Sequence, residues 1–377
     1  VRKRVLAGIA ITVVLLLFII VGKIIHLPSG VSLPGPQPSQ IWSRDTSTNN
    51  YLAEDEGKLV LVEEEGGDFI ARGIDFYGKS IWEEKGKGAT QFFFDEKYWA
   101  YTESPGGHVK VFDYQGSQAG QLTYDEEFNN IWLGPEGEII SVKNYTAGED
   151  TLEGFYRESV EVNSLNDKKV YQDIFSGKGI LDVRLLPGKD IIIINKVDIY
   201  PQVNARVAFY DLEGNKITEQ NGSELFLSPL IVNEGETVVI GTGKELLLYS
   251  LKDNELLRWE WDYYIDDYFL ISDGDIVLAS GSREGLKENT QLLCVNSAGE
   301  ILWERNLPGS YHQGKGRQDG GIFIESSTFL YLLQPDGTSC GYYSPQEEKD
   351  IYLLSSDVFL TIKDTEIKAY QWPLDKH

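Results

Sequence analysis

Four histidines, His26, His108, His312 and His377, are scattered along 377 residues. None stands at a spacing from cysteine or carboxylate that would build a zinc site. Gly281-Ser282-Arg283-Glu284-Gly285 holds the parts of a hydrolase nucleophile turn in the wrong order, with no helical pattern after it, and reads as a loop. Gly241-Thr242-Gly243-Lys244-Glu245 lacks the upstream glycine and the hydroxyl after lysine that a phosphate loop needs, so it reads as a turn between strands. The acid pairs Asp266-Asp267 and Asp273-Gly274-Asp275 could offer oxygens to calcium or flank a glycosidic bond. No Asp-x-Asp-x-Asp-Gly run with a distal glutamate accompanies them, and Asp-Gly-Asp equally suits a tight hairpin. Trp259-Glu260-Trp261-Asp262-Tyr263-Tyr264 alternates aromatic with acid, which on a strand places Trp259, Trp261 and Tyr263 on one face. Such a face is a platform for a sugar or, as the stronger reading, a packing surface between sheets. No catalytic residue, cofactor ligand or metal ligand is assigned, and no enzyme activity is expected.

The elements around these residues are strands. Leu292 to Glu304 reads as strand, tight turn, strand: Asn296 caps the turn entry and Gly299 accepts positive φ. Related hairpins lie at 73–84, 109–122, 207–219, 246–259 and 329–342, with a weaker copy at 160–171. Their turns fall near Gly78, Gly116, Asp167, Gly214, Asn254, Gly299 and Gly337, roughly 38 to 51 residues apart, the period of four-stranded propeller blades. A second hairpin precedes several of them, as in Ile131 to Ile140, Leu185 to Ile192, Leu230 to Val239 and Phe269 to Val277. No helical period is sustained, so the body from Ile41 onward is all-β. The last repeat stops one strand short, and residues 39–44, with Ile41-Trp42 placed like Ile81-Trp82 and Leu302-Trp303, supply it. Closure in this way removes an exposed sheet edge. Eight blades are expected, with seven as the alternative because 308–321 is poor in apolar residues.

Ahead of the strands, Arg2-Lys3-Arg4 precedes the apolar run 5–25, long enough at 1.5 Å per residue to cross about 30 Å of hydrocarbon. The basic triplet sets the short tail 1–4 in the cytoplasm and everything after residue 25 outside. A cleaved signal peptide is the competing reading, but Ile24-Ile25-His26-Leu27-Pro28 offers no small-x-small site and no lipoprotein cysteine. Residues 26–40, with Pro28, Pro34, Pro36 and Pro38, read as an extended stalk. The chain carries a formal charge of −25, and the remainder beyond the basic N-terminus reaches about −29, so nucleic acid is excluded as a partner by repulsion. The only cysteines, Cys294 and Cys340, occupy non-equivalent repeat positions, which argues against a disulfide.

Leu293 to Trp303 and Tyr249 to Trp259 resemble the repeat of quinoprotein-alcohol-dehydrogenase-like propellers: an aliphatic strand, Asp or Asn, a small residue, a turn glycine and a tryptophan. The resemblance implies the fold. A quinone enzyme of that type would add calcium-binding acids, a tryptophan floor and an adjacent-cysteine disulfide, whereas this chain has no Cys-Cys pair. It is more similar to the non-enzymatic members, which include an envelope lipoprotein assisting outer-membrane barrel assembly. It also resembles a membrane-anchored family of unassigned function in Gram-positive anaerobes. The expectation is a single-pass, extracytoplasmic scaffold that binds envelope or membrane proteins, with a ligand-sensing or carbohydrate-binding ectodomain as the alternative.

Overall fold

A computed structural model describes residues 37–372, apart from 48, 56–57, 90, 96, 104–106, 125–129, 145–156, 167, 199–203, 223, 233–235, 254, 272–273, 285–286, 345–349, 355 and 364. The apolar run 5–25, the tail before it and most of the stalk lie outside the described residues. No helix among the described residues is long and apolar enough to cross a membrane.

Eight four-stranded antiparallel sheets follow one another along the chain. Blades 1 to 7 are each continuous in sequence, at 49–87, 91–123, 130–176, 178–222, 230–260, 267–308 and 311–343. Blade 8 takes three strands from 350–371 and its fourth from Ser39–Asp45, where Trp42 faces Ala369 and Asp45 faces Glu366. The first and last parts of the ring thus share one sheet. Seven blades are ruled out by the strand Tyr311–Gly316, the first of blade 7, which sits in the apolar-poor region.

Closure shows in the packing. Eight hydrophobic clusters occupy the eight junctions between neighbouring blades, including one in which Leu59, Leu61 and Ile74 of blade 1 meet Leu354, Val358 and Leu360 of blade 8. Middle strands are uninterrupted aliphatic runs because both of their faces are covered. Ile192 and Ile194 pack toward blade 3 while Ile193 packs toward blade 5; Val60 and Val62 face blade 2 while Leu59 and Leu61 face blade 8.

Several third-to-fourth-strand turns repeat one piece of local chemistry. Asn296 Oδ1 accepts from the Ala298 and Glu300 amides at 3.0 and 2.9 Å, and Gly299 takes φ +81°. Asp75 and Asp113 cap their turns in the same way. A one-residue register slip follows, as between Cys294 and Val295, and it turns the outer strand toward the next blade. There the outer-strand tryptophan docks on the neighbour's turn. Trp42, Trp82 and Trp303 donate from Nε1 to the carbonyls of Phe76, Tyr114 and Pro335 at 3.1, 3.0 and 2.7 Å, with their rings over Gly78, Gly116 and Gly337. At the blade 6 turn an aliphatic side chain takes the place, with Leu257 of blade 5 lying against Gly299 and Trp259 just beyond it.

Two sequence readings need correction. Gly281 to Glu284 is not a loop; it ends the strand Ile276–Glu284, which pairs with Lys287–Val295 out to Glu284 opposite Lys287. The polar composition reflects a hairpin that outgrows the core. The outer strand of blade 5 stops at Glu260, so Trp259, Trp261 and Tyr263 do not share a strand face. They nonetheless join the blade 5–6 cluster, where Trp261 is buried and meets the Tyr263 ring edge-on at 5.4 Å. The packing reading therefore accounts for them. Both cysteines are free; Cys294 is buried, and its thiol is pushed up to about 12 by that burial.

Candidate binding site at the channel mouth

The first strands of neighbouring blades touch and ring the axis, their C-terminal ends leading to one face, here the upper face. The docking turns lie on that face, and the links between blades lie on the other. Blades 2 to 6 line a cavity of about 350 Å³ at the upper mouth, where Leu133, Pro135, Leu185, Pro187, Ile231 and Leu270 form the apolar part of a mixed wall that also includes Ser228. The prolines stand at turn positions just past the strand ends, where no ladder hydrogen bond is lost.

Two charged groups of the channel wall border the cavity. Asp95 comes from blade 2, and Arg184 from the first strand of blade 4. Arg184 Nε lies 3.2 Å from the Asp182 carboxylate, itself buried, opposite Asn195 in the ladder. Asn195 in turn donates to the Phe226 carbonyl at 2.9 Å, and Tyr268 from blade 6 donates to the Ser228 carbonyl. These bonds hold the wall of the cavity without using Arg184's outward side.

The other half of the mouth is tied shut by polar bonds. Lys315 of blade 7 reaches over blade 8 to Glu54 of blade 1 at 2.9 Å, and Gln313 donates to the Ile351 carbonyl at 2.6 Å. At the lower end, Tyr311 of blade 7 donates to the Asp267 carboxylate of blade 6, and burial raises that carboxyl above its ordinary range. Asp266 beside it accepts from the Gly281 amide at 2.6 Å. Asp267 is thus consumed by the blade 6–7 junction, whereas Asp266 takes a single backbone bond within blade 6. Among the described residues no group of three His, Cys, Asp or Glu could hold a metal ion.

One further titratable group is buried in the blade 3–4 junction. Lys196 is 1% exposed, donates to Tyr210 Oη at 2.8 Å, lies 3.9 Å from Glu219 and sits over the rings of Phe175 and Tyr210. Burial pushes its ammonium down to about 8, against the pull of Glu219. A base whose folded value is depressed destabilises the fold while charged, because the unfolded chain holds the proton more tightly. Stability should therefore rise as pH climbs from about 8 toward the unfolded value near 10.5. Lys196→Met removes that slope and, since Glu219 keeps Arg206 and Lys216, should stabilise the protein by about 2 kcal/mol at neutral pH. Urea unfolding of both proteins across this pH window checks it; parallel curves would sink the assignment.

Arg184, Asp182, Lys315, Glu54 and Lys196 were not singled out from the sequence. The available signal was a charge interrupting a strand buried on both faces, as Lys196 does in Ile191–Asp198. The pairs themselves join distant blades and leave no local mark.

A closed ring of eight four-stranded sheets around a channel defines an eight-bladed β-propeller. No protein-family model matches the chain, and no curated protein matches it. Among solved structures it is similar to BamB from Moraxella catarrhalis, with a TM-score of 0.53 and 11% identity over 89% of this chain and 100% of that one. It is also similar to the dihydro-heme d1 dehydrogenase NirN in complex with DHE, with a TM-score of 0.53 and 11% identity over 88% of this chain and 76% of that one. At such identity the likeness is one of fold.

Proposed function

We propose that this chain is a membrane-anchored, extracytoplasmic propeller that acts as a non-catalytic protein-binding scaffold of the cell envelope, with its partner held at the upper channel mouth. The observation that carries the reading is the mouth itself: a cavity lined by five blades that combines an apolar wall with one guanidinium and one carboxylate. The buried titratable groups Lys196 and Asp267 serve blade junctions and stand away from this mouth. The similarity to BamB supports the same class. The proposed anchor is the apolar run 5–25, with its basic flank in the cytoplasm.

A photoreactive residue at position 187, at the mouth, should capture envelope proteins in intact cells, and one at Ile174, on the outer strand of blade 3, should not. Adding two carboxylates at turn positions, Pro135→Glu with Pro187→Glu, should lower capture about tenfold while leaving the fold intact. Equal capture at both positions, or capture indifferent to the added charges, would rule out the mouth.

A further inference from the structure

On the lower face, the links that lead into blades 5 and 6 frame a notch of about 530 Å³. Two large apolar side chains stand open in it, Leu225 at 57% exposure and Tyr264 at 53%. Two carboxylates, Glu224 and Asp266, also line it. Neither is in ion-pair contact with any cation of the described residues; Asp266 accepts only the Gly281 amide. Lys244, at the edge of the notch, is held by other groups: its Nζ donates to the Asp262 carbonyl at 2.7 Å and lies 5.4 Å over one face of the Tyr264 ring. The frame is fixed in advance. Thr242 Oγ1 donates to the Glu224 carbonyl at 2.9 Å, and the Ile265 amide donates to the Gly243 carbonyl at 2.7 Å. Little ordering is left for a ligand to impose.

We propose that this notch is a docking site for an extended segment of a partner protein that presents an arginine or lysine next to an apolar side chain. Charge complementarity selects that occupant. Two uncompensated carboxylates on a body with a formal charge of −25 repel an acidic segment and attract a basic one at long range. Leu225 and the Tyr264 ring then cover the aliphatic stem of the basic residue and its apolar neighbour. A neutral sugar would satisfy the ring but leave both carboxylates without a counter-charge. The notch and the channel mouth lie on opposite faces, so this inference does not rest on the mouth.

The test uses the full chain in nanodiscs of phosphatidylcholine, whose neutral surface does not itself hold a cationic probe. The probe is a fluorescein-labelled peptide alternating leucine with arginine, followed by anisotropy, with the leucine–glutamate counterpart as control. The leucine–arginine peptide should bind and the control should not. Glu224→Lys and Leu225→Asp should each weaken binding about tenfold or more, with melting temperatures unchanged since both side chains are exposed. Glu213→Lys makes the same charge change on an upper-face turn and should leave binding within about twofold of wild type. The mouth variant Pro135→Glu with Pro187→Glu should also bind normally, so either site can fail without the other. No binding by the wild type, or an equal loss with Glu213→Lys, overturns the proposal: the first denies the site and the second reduces it to a general field.

Discussion

A chain that begins at Thr46 is expected to be less stable than one that begins at Gln37 by at least about 4 kcal/mol, and to lose the single cooperative transition of the closed ring. The two differ by little more than Ser39–Asp45. Without that strand blade 8 has three strands, the Trp42 ring leaves the cluster between blades 8 and 1, and its bond to the Phe76 carbonyl is gone. Burial of one tryptophan alone is worth about 3 kcal/mol or more when removed from a packed site. Arg44 adds a bond to Ser80 Oγ at 2.9 Å across the same junction. Guanidinium unfolding followed by tryptophan fluorescence measures the difference. Equal midpoints for the two chains would mean that the strand decorates an already stable ring instead of closing it.

Trp82→Ala should cost about 3–5 kcal/mol, among the largest effects of any single substitution here. The indole stacks parallel to Trp99 at 5.9 Å, donates to the Tyr114 carbonyl and covers Gly116. Trp99 is fully buried in the same cluster with Phe69 and Tyr101, so deleting the half-buried Trp82 ring uncovers that aromatic stack. Trp82→Phe keeps most of the ring area and loses mainly the hydrogen bond, so its cost should be about 1–2 kcal/mol. Gly116 supplies an internal control. A methyl group there would come within 2.6 Å of the Trp82 ring and sit at φ +83°. Gly116→Ala should therefore destabilise strongly in the wild type and less in the Trp82→Ala background, where only the backbone strain remains. Strict additivity of the two would show that the ring and the turn do not press on each other as described.

Much of this architecture could be read from turns and strand composition. The Asp or Asn cap, the positive-φ glycine and the outer tryptophan form a local unit within a dozen residues, and local units leave local signals. The doubt between seven and eight blades came from Tyr311–Gly316, and the structure explains it. Gly314 lies directly under the Phe269 ring and Gly316 against the Leu270 carbonyl, so blade 6 leaves no room there for the side chains that announce a strand. Gln313 and Lys315, between them, are occupied with the blade 8 carbonyl and with Glu54. The candidate sites were hidden for a different reason. Leu133, Leu185, Ile231 and Leu270 each look like ordinary strand residues, and only the ring brings them to one opening. Leu225 and Tyr264 likewise come from separate links that are adjacent in space alone.

The partnership of Trp42 with Ala369 also sets a timetable. Hairpins of the middle blades can form as soon as their own residues emerge, since their partners are near in sequence. The final sheet has to wait until residues 350–371 have been delivered, because its two contributors are separated by seven other blades. Until then the leading segment is an unpaired edge, and any premature stop leaves it so. Closure of the ring is therefore tied to the delivery of its last strands, whatever the speed of any single blade.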